Sequence, residues 1–371
     1  MKNNRTFLEK LLDGAEVEWK PLNKIVTTIT APVKLKREMY CSTGSTPIID
    51  QGEKFIAGYT DENFEAIPSN EYIIFGDHSE YIKYVNFSFI QGADGLKILK
   101  PKEDNAKYIY YAFQNFYVKE LNYKRHWSSA KETLIPLPPP TVQTEIVRIL
   151  DALTALTSEL TSELTLRRKQ YEYYREKLLS HDSSEYSTQK SDKVKFVHTS
   201  NIQWLHLNEI YKFQYGIGNK IPTIGGEYPV YGSNGIVGTH NEYNSENAPV
   251  IGHIGAYAGI VNWAEGKHFV TYNGIICNKI NDNVNSRYAY YLLLSQNFID
   301  KANKASQPFI SYDILNKCIV PVPPPEEQQR IVSILDKFET LTNSITEGLP
   351  LAIKQSQKRY EYYRELLLNF S

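Results

Sequence analysis

Apolar side chains recur with heptad spacing over residues 146–178, which predicts one long helix with a seam for a partner helix. The seam recurs in residues 331–349, at Ile331, Leu335, Phe338, Ile345 and Leu349. A single helix of about forty residues would be about 60 Å long and is not expected to stand alone, so we expect two long helices that pair. Eight of the ten seam positions in the first helix are apolar or aromatic, and the ten are Ile146, Leu150, Leu153, Thr157, Leu160, Leu164, Arg167, Tyr171, Tyr174 and Leu178.

Proline and glycine mark where these helices begin and where one of them is interrupted. A proline run precedes each helix and favours extended polyproline backbone up to the helix start. Pro140 and Pro325 stand where a helix can begin, because the first turn does not need their missing N–H. Gly348 and Pro350 predict a kink or a break inside the second helix.

The chain is a duplication. Residues 135–151 read IPLPPPTVQTEIVRILD and residues 319–336 read IVPVPPPEEQQRIVSILD, which align from Pro136 and Pro321 at an offset of 185. An internal repeat of this kind indicates two copies of one structural unit. If a pseudo-twofold axis relates the copies, the two long helices run antiparallel.

Further matches extend the repeat. YEYYREKLL at 171–179 matches YEYYRELLL at 360–368 at an offset of 189, so the second copy carries four extra residues before this point. Fainter matches in the globular parts pair residues 107–113 with 287–293, and Trp19 with Trp204.

Each copy thus has a mixed globular region followed by a long helix. We predict an α+β fold in which two α/β domains are separated by a pair of long antiparallel coiled-coil helices, with a pseudo-twofold internal repeat. The predicted boundaries are 1–135 for domain 1, 136–182 for the first long helix, 183–193 for a polar linker, 194–320 for domain 2 and 321–371 for the second long helix.

Composition limits the cellular setting and the partners. The net charge of −1 means that this chain alone neutralises few phosphates, so a DNA-binding role would draw positive surface from a partner. No apolar run is long enough to cross a bilayer, and the first residues have no signal-peptide core. We therefore expect a cytoplasmic protein without a membrane partner. The three separated cysteines offer neither a disulfide framework nor a zinc pattern, and we expect them to be buried.

No catalytic constellation is visible, so we expect a chain that is not an enzyme. The Asn/Asp-Pro-Pro-aromatic motif of amino-methylating enzymes, the Walker A motif and HExxH are all absent. The glycines between Gly252 and Gly259 lack the spacing of a dinucleotide-binding loop and are typical of a strand and turn with close backbone packing. We expect neither a metal site nor a cofactor site in this chain.

Polar and aromatic clusters near glycines fit nucleic-acid binding better. Arg, Lys, Asn and Gln contact base edges, whereas Ser, Thr, Tyr and backbone N–H groups contact phosphates. Each cluster taken singly is more typical of a turn, but the clusters occur at corresponding places in both copies. The DNA-binding candidates are Lys34, Lys36, Arg37, Asp77, His78, Lys83, Gln91, Lys124 and Arg125 in domain 1, and Gln214, Tyr215, Ser233, Asn234, His253, Tyr272, Asn273 and Gln307 in domain 2.

Several of these segments resemble the specificity subunits of type I restriction–modification enzymes, and the likeness covers essentially the whole chain. The resemblance implies two α/β target-recognition domains, each followed by a long helix, with the helices as an antiparallel pair. It also implies that each domain recognises one half of a bipartite asymmetric site in double-stranded DNA. Besides the two proline–helix segments, the similar stretches are LLDGAEVEWKPL at 11–22, IIFGDHSEYIKY at 73–84, FIQGADGLKIL at 89–99 and QPFISYDIL at 307–315.

The same resemblance implies the partners. Two modification subunits would dock on the helices and methylate adenine with S-adenosylmethionine, and restriction subunits would add cleavage that requires ATP and Mg²⁺. These cofactors would bind the partner subunits and not this chain. Two alternatives stay open: a specificity subunit of a methylation-only system, and a coiled-coil assembly scaffold without nucleic-acid recognition.

Two shorter repeats lead to further expectations. FLEKLL at 7–12 resembles YREKLL at 174–179, so the N-terminal segment looks like the tail of a preceding repeat, and we expect the chain ends to lie close together. Residues 157–164 read TSELTSEL, a tandem tetrapeptide within the first helix. Four residues make slightly more than one turn, so a unit could be gained or lost without destroying the apolar seam.

Overall fold

The computed structural model of the chain describes residues 7–180, 202–218, 221, 225–303 and 306–370. The chain divides into two compact units, Met1–Thr161 with Ala352–Ser371, and Ser162–Leu351. The predicted linker at 183–193 lies outside the described residues.

The first copy alternates short helices and strands before its long helix. Its elements are α1 (Phe7–Leu12), β1 (Glu18–Pro21), α2 (Leu22–Ile25), β2 (Val26–Ile29), β3 (Lys34–Leu35), a 3₁₀ turn (Arg37–Met39), β4 (Thr46–Ile49), β5 (Gly58–Thr60), β6 (Tyr72–Gly76), β7 (Ile82–Val85), β8 (Ile90–Gly92), β9 (Leu96–Pro101), α3 (Ala106–Phe116), α4 (Trp127–Ala130), β10 (Leu134–Leu137) and α5 (Pro140–Ser180).

The second copy likewise begins with a short strand and a short helix and ends with a short strand and long helices, and the strands described between them include longer ones. Its elements are β11 (Gln203–His206), α6 (Leu207–Ile210), β12 (Tyr211–Tyr215), β13 (Tyr228–Gly232), β14 (Gly235–His240), β15 (Ser245–Gly252), β16 (Val261–Val270), β17 (Gly274–Lys279), α7 (Ser286–Ser295), α8 (Phe298–Lys301), α9 (Tyr312–Asn316), β18 (Ile319–Val322), α10 (Pro325–Asn343) and α11 (Gly348–Leu368).

Mixed sheets form the body of each domain. Domain 1 has an antiparallel sheet in the order β2-β9-β6-β7 and a second sheet in the order β3-β8-β4-β5, in which β3, β8 and β4 are parallel. Domain 2 has one sheet in the order β12-β17-β15-β16-β13-β14, with β13 parallel to β16. All five residues of β6 are buried, as expected for a strand that is covered on both faces. The α+β class predicted from the sequence is confirmed.

The motifs that reveal the duplication contact each other in each copy. β1 pairs with β10, which places Trp19 opposite Pro136, and β11 pairs with β18, which places Trp204 opposite Pro321. Both pairs are two-stranded ribbons, where a proline without an N–H is tolerated. The repeated sequences therefore record a repeated strand pair that joins each domain to its long helix.

The first long helix confirms the heptad prediction. α5 begins at Pro140, as predicted, and all ten seam positions are buried or half-buried. Side chains on the opposite side, such as Leu166 and Tyr173, are exposed. The second helix also begins at its predicted proline, Pro325.

The second long helix is interrupted, as Gly348 and Pro350 predicted. α10 ends at Asn343, and α11 begins at Gly348, which has a φ of +79°. The seam position predicted at Ile345 is wrong: this side chain is 80% exposed, because the chain has left the helix at residue 344.

Long helices pack antiparallel within each unit. In the first unit, Thr157 Oγ1 lies 2.8 Å from Ser356 Oγ, while Ile146 near the start of α5 shares a core with Leu367 at the end of α11. In the second unit, Arg168 contacts the carbonyl of Thr342, whereas Tyr171, farther along α5, packs on Phe338, which precedes Thr342 in α10. At successive contacts, the residue numbers thus rise along one helix and fall along the other, as in an antiparallel pair.

The helix ends are exchanged between the copies. Leu367 and Leu368 of α11 are buried with Leu22 and Ile25 of α2 in the first unit. The equivalent residues of α5, Leu178 and Leu179, are buried with Leu207 and Ile210 of α6 in the second unit. Each unit therefore combines a domain, the start of the long helix that follows it, and the end of the other long helix.

The described segments nearest the two ends of the chain lie close together, as expected. Leu8 and Leu12 of α1 line the same pocket as Leu366 and Phe370. Cys277 and Cys318 are buried as expected, but the prediction is wrong for Cys41, which is exposed.

Candidate nucleic-acid interface

Loops gather at one end of domain 1. Because β3, β8 and β4 are parallel, their carboxyl ends lie at the same edge of the sheet, which is where α/β folds commonly bind ligands. The turn between β6 and β7 joins this edge, because Asp77 N donates a hydrogen bond to Gly95 O at 2.6 Å. We call residues 36–37, 50–52, 77–80, 93–95 and 118–126 the first loop cluster.

A chain of hydrogen bonds ties the first loop cluster together. Lys34 Nζ contacts Asp94 Oδ1 at 3.0 Å, and Gln51 Nε2 donates to Asp94 O at 3.2 Å. Gln51 Oε1 accepts from His78 N at 3.1 Å, and the His78 ring nitrogen Nδ1 lies 3.0 Å from Lys124 O. Gln51 was missed in the sequence, since it follows β4 in a polar loop without a distinctive motif.

The exposed candidates of domain 1 are basic. Lys34, Lys36, Arg37, Lys124 and Arg125 are all exposed at or beside the first loop cluster, and His78 is half-buried there. This group offers cations for phosphates and for the major-groove side of guanine.

Three other candidates are buried and bonded within the domain. Asp77 accepts a hydrogen bond from Trp127 N at 2.8 Å, and Gln91 Nε2 donates to Ala93 O at 3.2 Å. Lys83 Nζ donates to the carbonyls of Asp50 and Lys54 at 2.8 and 2.6 Å, and burial lowers the pKa of this amine. Their side chains hold the loops in place and leave no surface for DNA in this conformation.

Domain 2 has a matching second loop cluster, residues 215–218, 233–234, 253–255, 271–273 and 307–308. Backbone hydrogen bonds join its segments: Tyr272 N donates to Gly218 O at 2.9 Å, His253 N to Asn273 O at 2.8 Å, and Gly255 N to Pro308 O at 2.8 Å. The turn at Ser233 presses on Gly252 so closely that a Cβ there would lie 2.5 Å from the Ser233 carbonyl oxygen. This close approach confirms the packing role expected for these glycines.

Aromatic rings dominate the second loop cluster. The Tyr215 ring lies between those of His253 and Tyr312, at centroid distances of 4.3 and 4.2 Å, and Tyr215 N donates to the Tyr312 hydroxyl at 2.7 Å. Tyr272 lies beside this stack with an exposed ring, and burial raises the pKa of Tyr215. Tyr312 was not among the candidates, although it lies in a segment that carried the family resemblance. The exposed or half-buried polar side chains nearby are Gln214, Ser233, Asn234, Asn273 and Gln307.

Strand register shows that the two clusters occupy equivalent places. Gly76 at the end of β6 pairs with the first residue of β9, and Gly252 at the end of β15 pairs with the first residue of β17. The next residue in each copy, Asp77 or His253, donates its N–H to the residue that precedes β9 or β17. One backbone plan therefore presents different side chains in the two domains.

Two other features are absent from the described residues. They contain no group of three or more His, Cys, Asp or Glu side chains that could hold a metal ion. Among the helices of the described ranges, none is long and apolar enough to cross a membrane.

Comparisons with known proteins agree on one family. The model of the type I restriction modification DNA specificity domain matches residues 16–167 and 209–355. A putative type I restriction enzyme specificity subunit from Haemophilus influenzae is 38% identical over the full length of both chains. The EcoR124I/EcoR124II specificity subunit from Escherichia coli is 35% identical, over 98% of this chain and 97% of that one.

Solved structures support the fold. The S subunit of a type I restriction-modification system from M. genitalium is similar with a TM-score of 0.62 and 20% identity, over 96% of each chain. A chain from a type I R-M system, solved to explain complex assembly and conformational transition, has a TM-score of 0.54 and 15% identity, over 96% of this chain and 98% of that one.

Proposed function

Because the chain belongs to the type I restriction–modification specificity subunits, we propose that it recognises a bipartite DNA site, with one domain for each half. The observation that carries this proposal is the equivalence of the two loop clusters. Asp77 and His253 occupy the same position on the same strand plan, yet their surroundings differ in charge and aromatic content. Two surfaces with the same backbone arrangement but different side chains suit two different half-sites.

The side chains suggest how each half is recognised. In domain 1, Arg37 and Arg125 can donate two hydrogen bonds to guanine, and the lysines beside them can neutralise phosphates. In domain 2, Asn273 or Gln307 can form a pair of hydrogen bonds with an adenine, and the exposed Tyr272 ring can pack against a sugar or a base.

The partners follow from the family and from the charge of the chain. We propose that two modification subunits dock on the paired helices and carry S-adenosylmethionine, while restriction subunits carry ATP and Mg²⁺. A net charge of −1 leaves much of the phosphate neutralisation to those subunits. Such an assembly meets DNA in the cytoplasm. The chain itself provides recognition and no catalysis, so the purified chain should transfer no methyl group from labelled S-adenosylmethionine to DNA.

The direct experiment compares DNA binding by the complex with its modification subunits on two labelled duplexes, one carrying the motif methylated in expressing cells and one with that motif scrambled. We expect strong preference for the motif. Lys124→Ala should weaken binding and reduce its salt dependence, whereas Lys20→Ala, which removes one cation from β1, should change neither. Equal and weak binding of both duplexes by an assembled complex would support the scaffold alternative.

Asn273→Ala tests base recognition separately. It should cost about 1–3 kcal/mol of binding free energy on the motif and relax selection at one base pair of one half-site.

Cleavage assays with and without a restriction subunit then distinguish a complete restriction system from a methylation-only one.

A further inference from the structure

Residues 118–125 of domain 1, which we call the tip loop, expose large apolar side chains. Val118 is 82% exposed, Leu121 is 85% exposed and Tyr123 is 91% exposed. Three such side chains within six residues are unusual on a surface that stays in water, because exposed apolar groups in close succession commonly mark a binding site.

The tip loop is held in one conformation from beneath. Glu80 is 2% exposed; its Oε1 accepts hydrogen bonds from the Tyr117 hydroxyl at 2.6 Å and from Glu120 N at 2.8 Å, and its Oε2 accepts from Leu121 N at 2.9 Å. Leu121 has a φ of +54°, a backbone conformation that is costly for leucine. The carboxylate offsets that cost by fixing the Leu121 N–H, so the leucine side chain is presented to solvent on an ordered backbone.

The far end of the tip loop is fixed as well. His126 N donates to Asp77 O, and Trp127 N donates to the Asp77 carboxylate, each at 2.8 Å. Both anchors, Asp77 and Glu80, come from the β6–β7 turn. A loop that is ordered before binding loses less conformational entropy when it binds.

Charge and position indicate the occupant. The tip loop carries three basic residues and one acidic residue, which leaves a charge of +2. Tyr123 stacks on His78 at a centroid distance of 5.3 Å, and the Lys124 carbonyl lies 3.0 Å from the same histidine ring. The apolar tip is therefore flanked by cations and lies within the first loop cluster, as expected for a site that binds a polyanion and not for one that binds an apolar protein surface.

From this arrangement, and resting on the DNA recognition proposed above, we infer that the tip loop is a DNA wedge. Leu121, supported by Val118, inserts against a base step beside the half-site that domain 1 recognises, while Lys124 contacts a flanking phosphate. Apolar side chains inserted in this way unstack a base step and bend the duplex, which lets more protein surface reach it.

The test uses the complex with its modification subunits and a duplex that carries the methylated motif, labelled with a dye at each end. Leu121→Asn removes the apolar side chain while keeping a residue type that tolerates positive φ. We expect about a tenfold loss of affinity, which corresponds to about 1.4 kcal/mol, together with reduced bending measured by energy transfer. Val118→Asn should change both quantities in the same direction. Leu134→Asn, at an exposed leucine on β10, is the matched control and should change neither.

The outcomes separate the two proposals. If the wild-type complex binds the motif duplex and Leu121→Asn and Val118→Asn match it in affinity and bending, the wedge is wrong and the recognition proposal stands. Loss of modification-subunit assembly in Leu121→Asn, measured by co-purification, would mean that the tip loop contacts protein, and this also overturns the wedge. A wild-type complex that does not distinguish the motif from a scrambled duplex would remove the recognition proposal itself.

Discussion

The hydroxyl of Tyr111 on α3 donates a hydrogen bond to the carboxylate of Asp151 on α5 at 2.7 Å. The second copy repeats the contact at 2.5 Å between Tyr291 on α7 and Asp336 on α10. In both copies a basic residue joins the same carboxylate, Lys107 in the first and Arg287 in the second. This contact connects each recognition domain to the start of its long helix.

Removing one hydroxyl should therefore weaken this junction. Tyr111→Phe keeps the ring but leaves Asp151 with one donor fewer, and we expect a loss of about 1.5–3 kcal/mol in the free energy of unfolding, which is the usual range for a hydrogen bond to a charged group. Urea denaturation measures it, with Tyr123→Phe as an exposed control. A change no larger than that of the control would mean that the contact does not stabilise the fold.

Glu80 should make the stability of domain 1 depend on acidity. Burial alone raises the pKa of its carboxyl group, but the hydrogen bonds from Tyr117, Glu120 and Leu121 outweigh burial, so the pKa lies below the ordinary value of 4.5. A carboxyl group with a lowered folded pKa stabilises the fold above its unfolded pKa and loses that contribution as pH falls through the folded pKa.

The prediction compares the wild type with Glu80→Gln. The wild type should be more stable near neutral pH, and the difference should shrink as pH falls below 4.5. Thermal unfolding at several pH values measures this difference. A gap that stays constant down to the acid limit would show that the carboxylate charge is not what holds the tip loop.

Gly348 should tolerate no side chain at the break between α10 and α11. A Cβ there would lie 2.5 Å from Thr340 O, whereas Gly266 also has positive φ but has no atom within 4 Å of its Cβ position. Gly266→Ala should cost about 1–2 kcal/mol from backbone strain alone, and Gly348→Ala should cost more. Equal losses in urea denaturation would mean that the break adjusts freely.

The tandem TSELTSEL segment should control the spacing between half-sites. It crosses the boundary in α5 between the first unit, which ends at Thr161, and the second, which begins at Ser162. A third Thr-Ser-Glu-Leu after Leu164 lengthens the helix by about 6 Å. The unread spacer should then widen by about one base pair and by no more than about two, at about 3.4 Å per base pair. An active complex with an unchanged spacer would show that α5 does not set the distance.

The sequence predicted the long helices better than the loops. Heptad spacing and prolines located the seam and both helix starts, because periodicity and backbone restriction are local properties. The prediction for Ile345 was wrong because heptad spacing places a side chain in the seam only while the chain is helical, and residues 344–347 are not helical.

Burial could not be predicted for polar side chains in and beside the loops. Asp77 stands in the β6–β7 turn, Lys83 on β7 and Gln91 on β8, and their side chains point inward because each bonds to a backbone group inside the domain. Gln51 and Tyr312 were missed because the residues that they contact in the clusters are distant from them in sequence. The exchange of helix ends between the two units likewise depends on packing that no local pattern records.

Sequencing the methylome of a host that carries this chain with its modification subunits tests the central claim most directly. The comparison is between the natural chain and one in which residues 194–320 are replaced by the second domain of another family member. Two independent recognition domains predict that one half of the methylated motif changes and that the other half stays the same. A change in both halves, or an unchanged motif from an active complex, would contradict this account.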